Sequence, residues 1–188
     1  DSGNGGAGVD GSYQINVGLD EYVSGSGWGA GTWGSGTFGS VSPLGSSSQL
    51  RLWSHDNFGA DLIMNVRGGG IYYWDSSAGT ENRAVALGDL SGAFKAPTRA
   101  LQVLVSEKDR HVICLGADEL SGGNRTSVVS PLFVCWSDQE SAGDWEPISS
   151  NSSGSITLSS GSEIIGGLAA REETLIWTDS SLYSMQFI

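Results

Sequence analysis

From residue 49 onward, short apolar runs alternate with polar or glycine-rich turns, a texture that predicts strands rather than helices. Leu50–Trp53 is followed by the polar stretch Ser54–Asn57, which reads as a turn, and then by Asp61–Val66. The glycine-rich turn Arg67–Gly70 joins that run to Ile71–Asp75, and two β-rich runs linked in this way form a hairpin. Arg83–Leu87 supplies a further strand. The same order then returns as Leu101–Val105, a polar turn at Ser106–Asp109, and His111–Leu115. After a longer polar loop, Gly116–Ser130, comes Pro131–Asp138, which like Ile71–Asp75 ends an apolar run on Trp followed closely by Asp. A third round starts at Glu163–Leu168, turns at Ala170–Glu173, and continues through Thr174–Thr178 and Leu182–Phe187.

The rounds begin near residues 50, 100 and 163. Those steps suit a four-stranded blade of roughly 40–50 residues, once the polar loop and the Ser-rich stretch Ile148–Ser155 of the second round are allowed for. Blades packed face to face bury their inner strands on both sides, so such strands read as unbroken apolar runs. Leu62–Met64 and Val112–Leu115 have that character. The expected fold is therefore all-β: a partial β-propeller-like array of antiparallel blades at 49–188. It divides at about 50–99, 100–162 and 163–188, the last lacking a fourth strand. A propeller ring takes about four to eight blades, so the missing ones were either removed or come from other chains. The start at Asp1 and the stop at Ile188 both read as cuts in something longer.

Residues 1–48 differ in texture. They are dominated by Gly and Ser, with one strand candidate, Ser12–Val17, and an aromatic at every fifth position: Trp28, Trp33 and Phe38. That spacing fits neither a helix nor a regular strand. It suits an irregular ribbon that lays its rings on another surface, the glycines permitting tight backbone paths. Trp145, in the polar stretch Gly143–Glu146, joins these three as a candidate binding or packing aromatic, and a sugar-stacking platform is the sharper use of such rings.

Charge narrows the functions. The net charge of −12 comes from 21 acidic and 9 basic residues with no Lys/Arg cluster, which argues against binding to nucleic-acid phosphates. A diffuse acidic wall would instead let a polyanion pass without adhering. No apolar run is long enough to span a membrane. Cys114 and Cys135 each sit inside an apolar run and read as buried thiols, a disulfide between neighbouring strands being the alternative. His55 and His111 lie in no metal-binding or nucleophile motif. Asp1–Gly5 and Asp10 lack the remainder of a calcium loop, so neither metal nor cofactor is expected. Trp74 with Asp75, Trp136 with Asp138, and Trp177 with Asp179 recur once in each round. Recurrence marks them as structural, with each Asp placed to accept backbone N–H bonds in the turn that follows. No catalytic residue is assigned.

Several of these strings, Leu50–Gly59, Asp61–Asp75, Val134–Glu140, Leu175–Tyr183 and the aromatic-glycine stretch Gly27–Gly34, resemble virion structural proteins of tailed bacteriophages. The similarity covers most of the chain, and the nearest group is the β-propeller tail-tube, nozzle and DNA-stabilisation proteins of short-tailed phages. The resemblance implies a non-enzymatic part of a tail ring that helps retain or conduct DNA in the virion, assembled in the host cytoplasm. It implies as partners other copies of the chain and neighbouring tail proteins, with DNA passing through a lumen without specific binding. Those proteins are several times longer than this chain. The alternative is a carbohydrate-binding or adhesin-type β module whose partner is a surface glycan; a hydrolase on a propeller scaffold is a third reading.

Overall fold

A computed structural model describes residues 52–106 and 108–186. The segment 1–48, with its strand candidate and with Trp28, Trp33 and Phe38, lies outside the described residues.

Fourteen strands follow one another: β1 (Trp53–Phe58), β2 (Asp61–Val66), β3 (Gly69–Trp74), β4 (Val85–Ala86), β5 (Arg99–Ala100), β6 (Gln102–Val105), β7 (Val112–Leu115), β8 (Asp118–Ser121), β9 (Asn124–Val129), β10 (Phe133–Trp136), β11 (Gly154–Thr157), β12 (Ile164–Ala169), β13 (Thr174–Thr178) and β14 (Leu182–Met185). The described residues contain no α-helix, only short 3-10 turns at Ser76–Ala78 and Leu87–Asp89. The protein is all-β and its strand pairs are antiparallel.

Three larger sheets each come from one stretch of chain. The first runs β1-β2-β3-β4, with β5 on the early part of β3; the second runs β6-β7-β10-β11; the third runs β12-β13-β14. A small hairpin, β8-β9, rises between β7 and β10. Among the described residues these sheets complete no barrel or ring.

The apolar pattern explains the layering. In the second sheet β7 is buried at every position, and β6 and β10 at all but one. Alternate residues enter two separate cores. Val103, Val105, Val112, Cys114, Phe133 and Cys135 join Ile63 and Ile71 of the first sheet. Leu104, Ile113, Leu115 and Val134 join Ile164 and Ile176 of the third. Each inner residue of the size of Ile113 contributes about 2–5 kcal/mol relative to Ala. The outer sheets bury one face only: β1 alternates between exposed and half-buried positions, and β13 buries Thr174, Ile176 and Thr178.

Two expectations are corrected. Ser54–Asn57 is the body of β1 and not a turn, paired with Ile63–Asn65 and Leu62 of β2. The supposed loop Gly116–Ser130 holds the β8-β9 hairpin. There Gly122 and Gly123 both take positive φ (57° and 82°), the backbone that a tight two-residue hairpin loop demands.

Candidate functional site at the inner strand edges and open faces

The edge strands β1, β6 and β12 are held together by side chains. An edge strand presents unpaired backbone groups that must be covered. From β1, the Ser54 hydroxyl accepts the Val103 N–H at 3.1 Å and the Asp56 carboxylate accepts the Val105 N–H at 2.8 Å. From β6, the Gln102 carboxamide meets Gly167 of β12 twice: its Nε2 donates to the carbonyl at 2.9 Å, and its Oε1 accepts the N–H at 2.8 Å. Thus the edge strand β1 reaches the backbone of β6, and β6 that of β12. The fully buried Asn65 completes the arrangement, donating to the carbonyls of Val66 and Ala100 and accepting from Ser54.

Towards their other strands the second and third sheets part. A cavity of about 500 Å³ opens between them, with Ile113, Val134 and Trp136 on one wall and Ile176, Tyr183 and Met185 on the other. Lys108 and Glu172, both lining it, form an exposed ion pair at 3.6 Å; such pairs contribute at most about 1 kcal/mol.

A second recurring device is an aspartate that grips both the N–H and the hydroxyl of one Ser or Thr. Asp61 holds Ser76, Asp75 holds Ser77, Asp118 holds Thr98, Asp138 holds Ser152 and Asp179 holds Ser162. Of these clips only that of Asp75 serves the turn immediately after it. Asp138 and Asp179 also reach residues 14 and 17 positions away and clip distant segments together, while Asp138 accepts from the backbone of Gln139 just after it as well. The bonds hold several carboxyls below their ordinary range: Tyr73 chiefly does so for Asp61, the Ser152 N–H for Asp138, and the Ser162 hydroxyl for Asp179. In return Tyr73 is pushed well up, first by burial and then by its bond to Asp61 at 2.5 Å. Asp118, fully buried and also accepting from Arg99 and Ser127, carries no sequence signal that singled it out.

The recurring tryptophans have different fates. Trp74 Nε1 donates to the Asn82 carbonyl and Trp136 Nε1 to Ser152, the latter ring lying over Gly154. Trp177 stays exposed on the third sheet. Trp145 is only 2% exposed, with its indole N–H on the Ala142 carbonyl, and its place in the first core removes it as a surface ring for sugars. His55 lies on the exposed face of β1. His111 is buried, its Nδ1 2.8 Å from the Ser137 carbonyl. Cys114 and Cys135 face each other across β7 and β10 as buried free thiols, and burial together with Cys135 pushes the Cys114 thiol up. Among the described residues no three His, Cys, Asp or Glu gather as a metal site.

Among the described residues, each outer sheet has a side that turns away from the two cores and carries exposed apolar side chains. Register places Trp53 with Val66, and His55 with Met64 and Tyr72, on the side of the first sheet away from the core. It places Trp177 with Leu182, and Leu168 with Leu175, on the far side of the third. Trp53 is 46% exposed, Leu168 56% and Leu182 57%.

No family model matches this chain, and neither a curated protein nor a solved structure shows significant similarity to it.

Proposed function

We propose that the chain is a structural assembly component, a partial array of propeller-type blades that forms part of a phage tail ring retaining or conducting DNA. One observation carries the architectural half. The inner strands β1, β6 and β12 are tied in succession, while the second and third sheets part around a cavity. Ties along one edge, with a gap between the second and third sheets at the other, support reading the sheets as blades about an axis. The three such sheets among the described residues leave a ring of about four to eight blades unfinished, so the reading requires neighbours.

The tail half of the proposal rests on the resemblance of Leu50–Gly59, Asp61–Asp75 and Leu175–Tyr183 to tail-tube and nozzle proteins, and on the net charge of −12, which suits a lumen that DNA traverses without adhering. The reading assigns no catalytic residue: the aspartates that recur in the sequence are engaged by serine clips. The test is electron microscopy of phage particles carrying this chain, labelled with gold-conjugated antibody. Label confined to the tail is expected. Label on the capsid shell alone, or on no particle, rejects the tail assignment.

A further inference from the structure

We infer that two copies of this chain associate head to tail, the open face of the third sheet of each covering the open face of the first sheet of the other. The two interfaces already inside the molecule point to a second copy as the partner. In each, the far face of one sheet covers the near face of the next, and the same side-chain-to-backbone ties run in the same direction. The faces left over are one of each kind: the far face of the third sheet and the near face of the first. They continue the established packing.

The chemistry of the faces agrees. The third sheet offers Ile165, Leu168, Trp177 and Leu182, of which Leu168 and Leu182 are more than half exposed. The first offers Trp53 and the side that carries Met64 and Tyr72. A sheet face of this kind is stable only when another layer covers it, and contiguous exposed apolar patches mark association sites. None of the residues just named is charged. The number of copies follows from the sheets. Counting the three larger sheets among the described residues, two copies supply six, within the range of about four to eight found in closed rings, whereas three copies exceed it. The contact is heterologous, and two such contacts related by a two-fold axis close the ring.

The inference rests on reading the chain as an assembly component, but its test is separate. Sedimentation velocity on the full chain is expected to show a species of twice 19.6 kDa. That species gains population as salt screens the acidic surfaces. Leu168→Asp with Leu182→Asp, both at exposed positions, is expected to weaken association at least about a hundredfold, because the new charges enter the contact unpaired. Its circular dichroism should match that of the parent. A mixture of His55→Cys and Leu168→Cys chains should cross-link with a short bismaleimide while neither variant alone does so. A monomer at all concentrations and salts overturns the inference, and so does cross-linking of either variant by itself, which would mean a symmetric contact. A dimer from a chain that never labels tails keeps this interface and removes the tail reading; a labelled tail with a monomeric chain does the reverse.

Discussion

Replacing Gln102 by Met keeps the length of the side chain but removes the only polar tie from β6 to the edge of β12. Two hydrogen bonds of 2.8 and 2.9 Å disappear, and each is partly buried. A neutral bond of this kind contributes about 0.5–1.5 kcal/mol, and a buried backbone group left without a partner costs about 1–3 kcal/mol. Gly167 would be left with both an N–H and a carbonyl in that state, partly relieved by water at the edge. The sum is a loss of about 2–4 kcal/mol, a large share of the roughly 5–15 kcal/mol that stabilises a domain. The loss is also local. The third sheet is also held by the core around Ile113, Leu115, Ile164 and Ile176, by the Ile164 N–H on the Pro131 carbonyl, and by Arg67 on the carbonyls of Ile164 and Ile165; the Gly167 end of β12 lies beyond those bonds and should open before the first and second sheets part. In hydrogen exchange, the amides of β13 should exchange about 30–1000 times faster in the variant, each 1.36 kcal/mol being a factor of ten. Those of β7 should change much less. A loss of stability under about 0.5 kcal/mol, or equal acceleration in β7 and β13, would refute the idea that this side chain is a main tie between β6 and β12.

Three further outcomes are expected. Because Asp61, Asp138 and Asp179 are held below their ordinary range in the folded state, their contribution is complete above the unfolded value of about 3.9 and is lost as pH falls through the lowered folded values. Urea midpoints should therefore be insensitive to these groups near neutral pH and fall below about pH 4; Ser152→Ala should flatten part of that fall. At Gly154 a β-carbon would lie 2.4 Å from the Trp136 ring, so Gly154→Ala should cost about 1–3 kcal/mol in thermal melts, and adding Trp136→Leu should recover part of it. Cys114 and Cys135, fully buried as thiols, should react with a thiol reagent only as fast as the chain opens, so the reaction rate should track the unfolding rate across a denaturant series.

How far the residues announced all this varies with the force involved. The second sheet was readable because it is packed on both sides: Val112–Leu115 and Phe133–Trp136 are apolar at every position, a pattern that an exposed turn does not carry. β1 was not readable. Its inward positions are Ser54 and Asp56, chosen to accept N–H bonds from β6, so a strand whose buried side is polar looks like a turn until its partner is known. The β8-β9 hairpin was hidden in the same way, since β9 carries Asn124, Arg125, Thr126 and Ser127 and only the Gly122–Gly123 pair marks it. Of the two uses read for Trp145, packing is the one its burial fits; its neighbours Gly143, Asp144 and Glu146 are polar or small, and burial comes from chain segments distant in sequence, such as Phe94, whose carbonyl accepts the Trp145 backbone N–H. The serine partners of Asp138 and Asp179 lie too far along the chain for spacing to reveal them.

The ties between inner strands also have a direction in time. Ser54 and Asp56 are synthesised before the N–H groups of Val103 and Val105 that they accept, and Gln102 before Gly167. A chain leaving the ribosome N-terminus first, at about 5–20 residues per second, can thus have the cap for each new edge strand in place before that strand emerges. Each nascent edge is then covered as it appears, and is not left to pair with a neighbouring nascent chain.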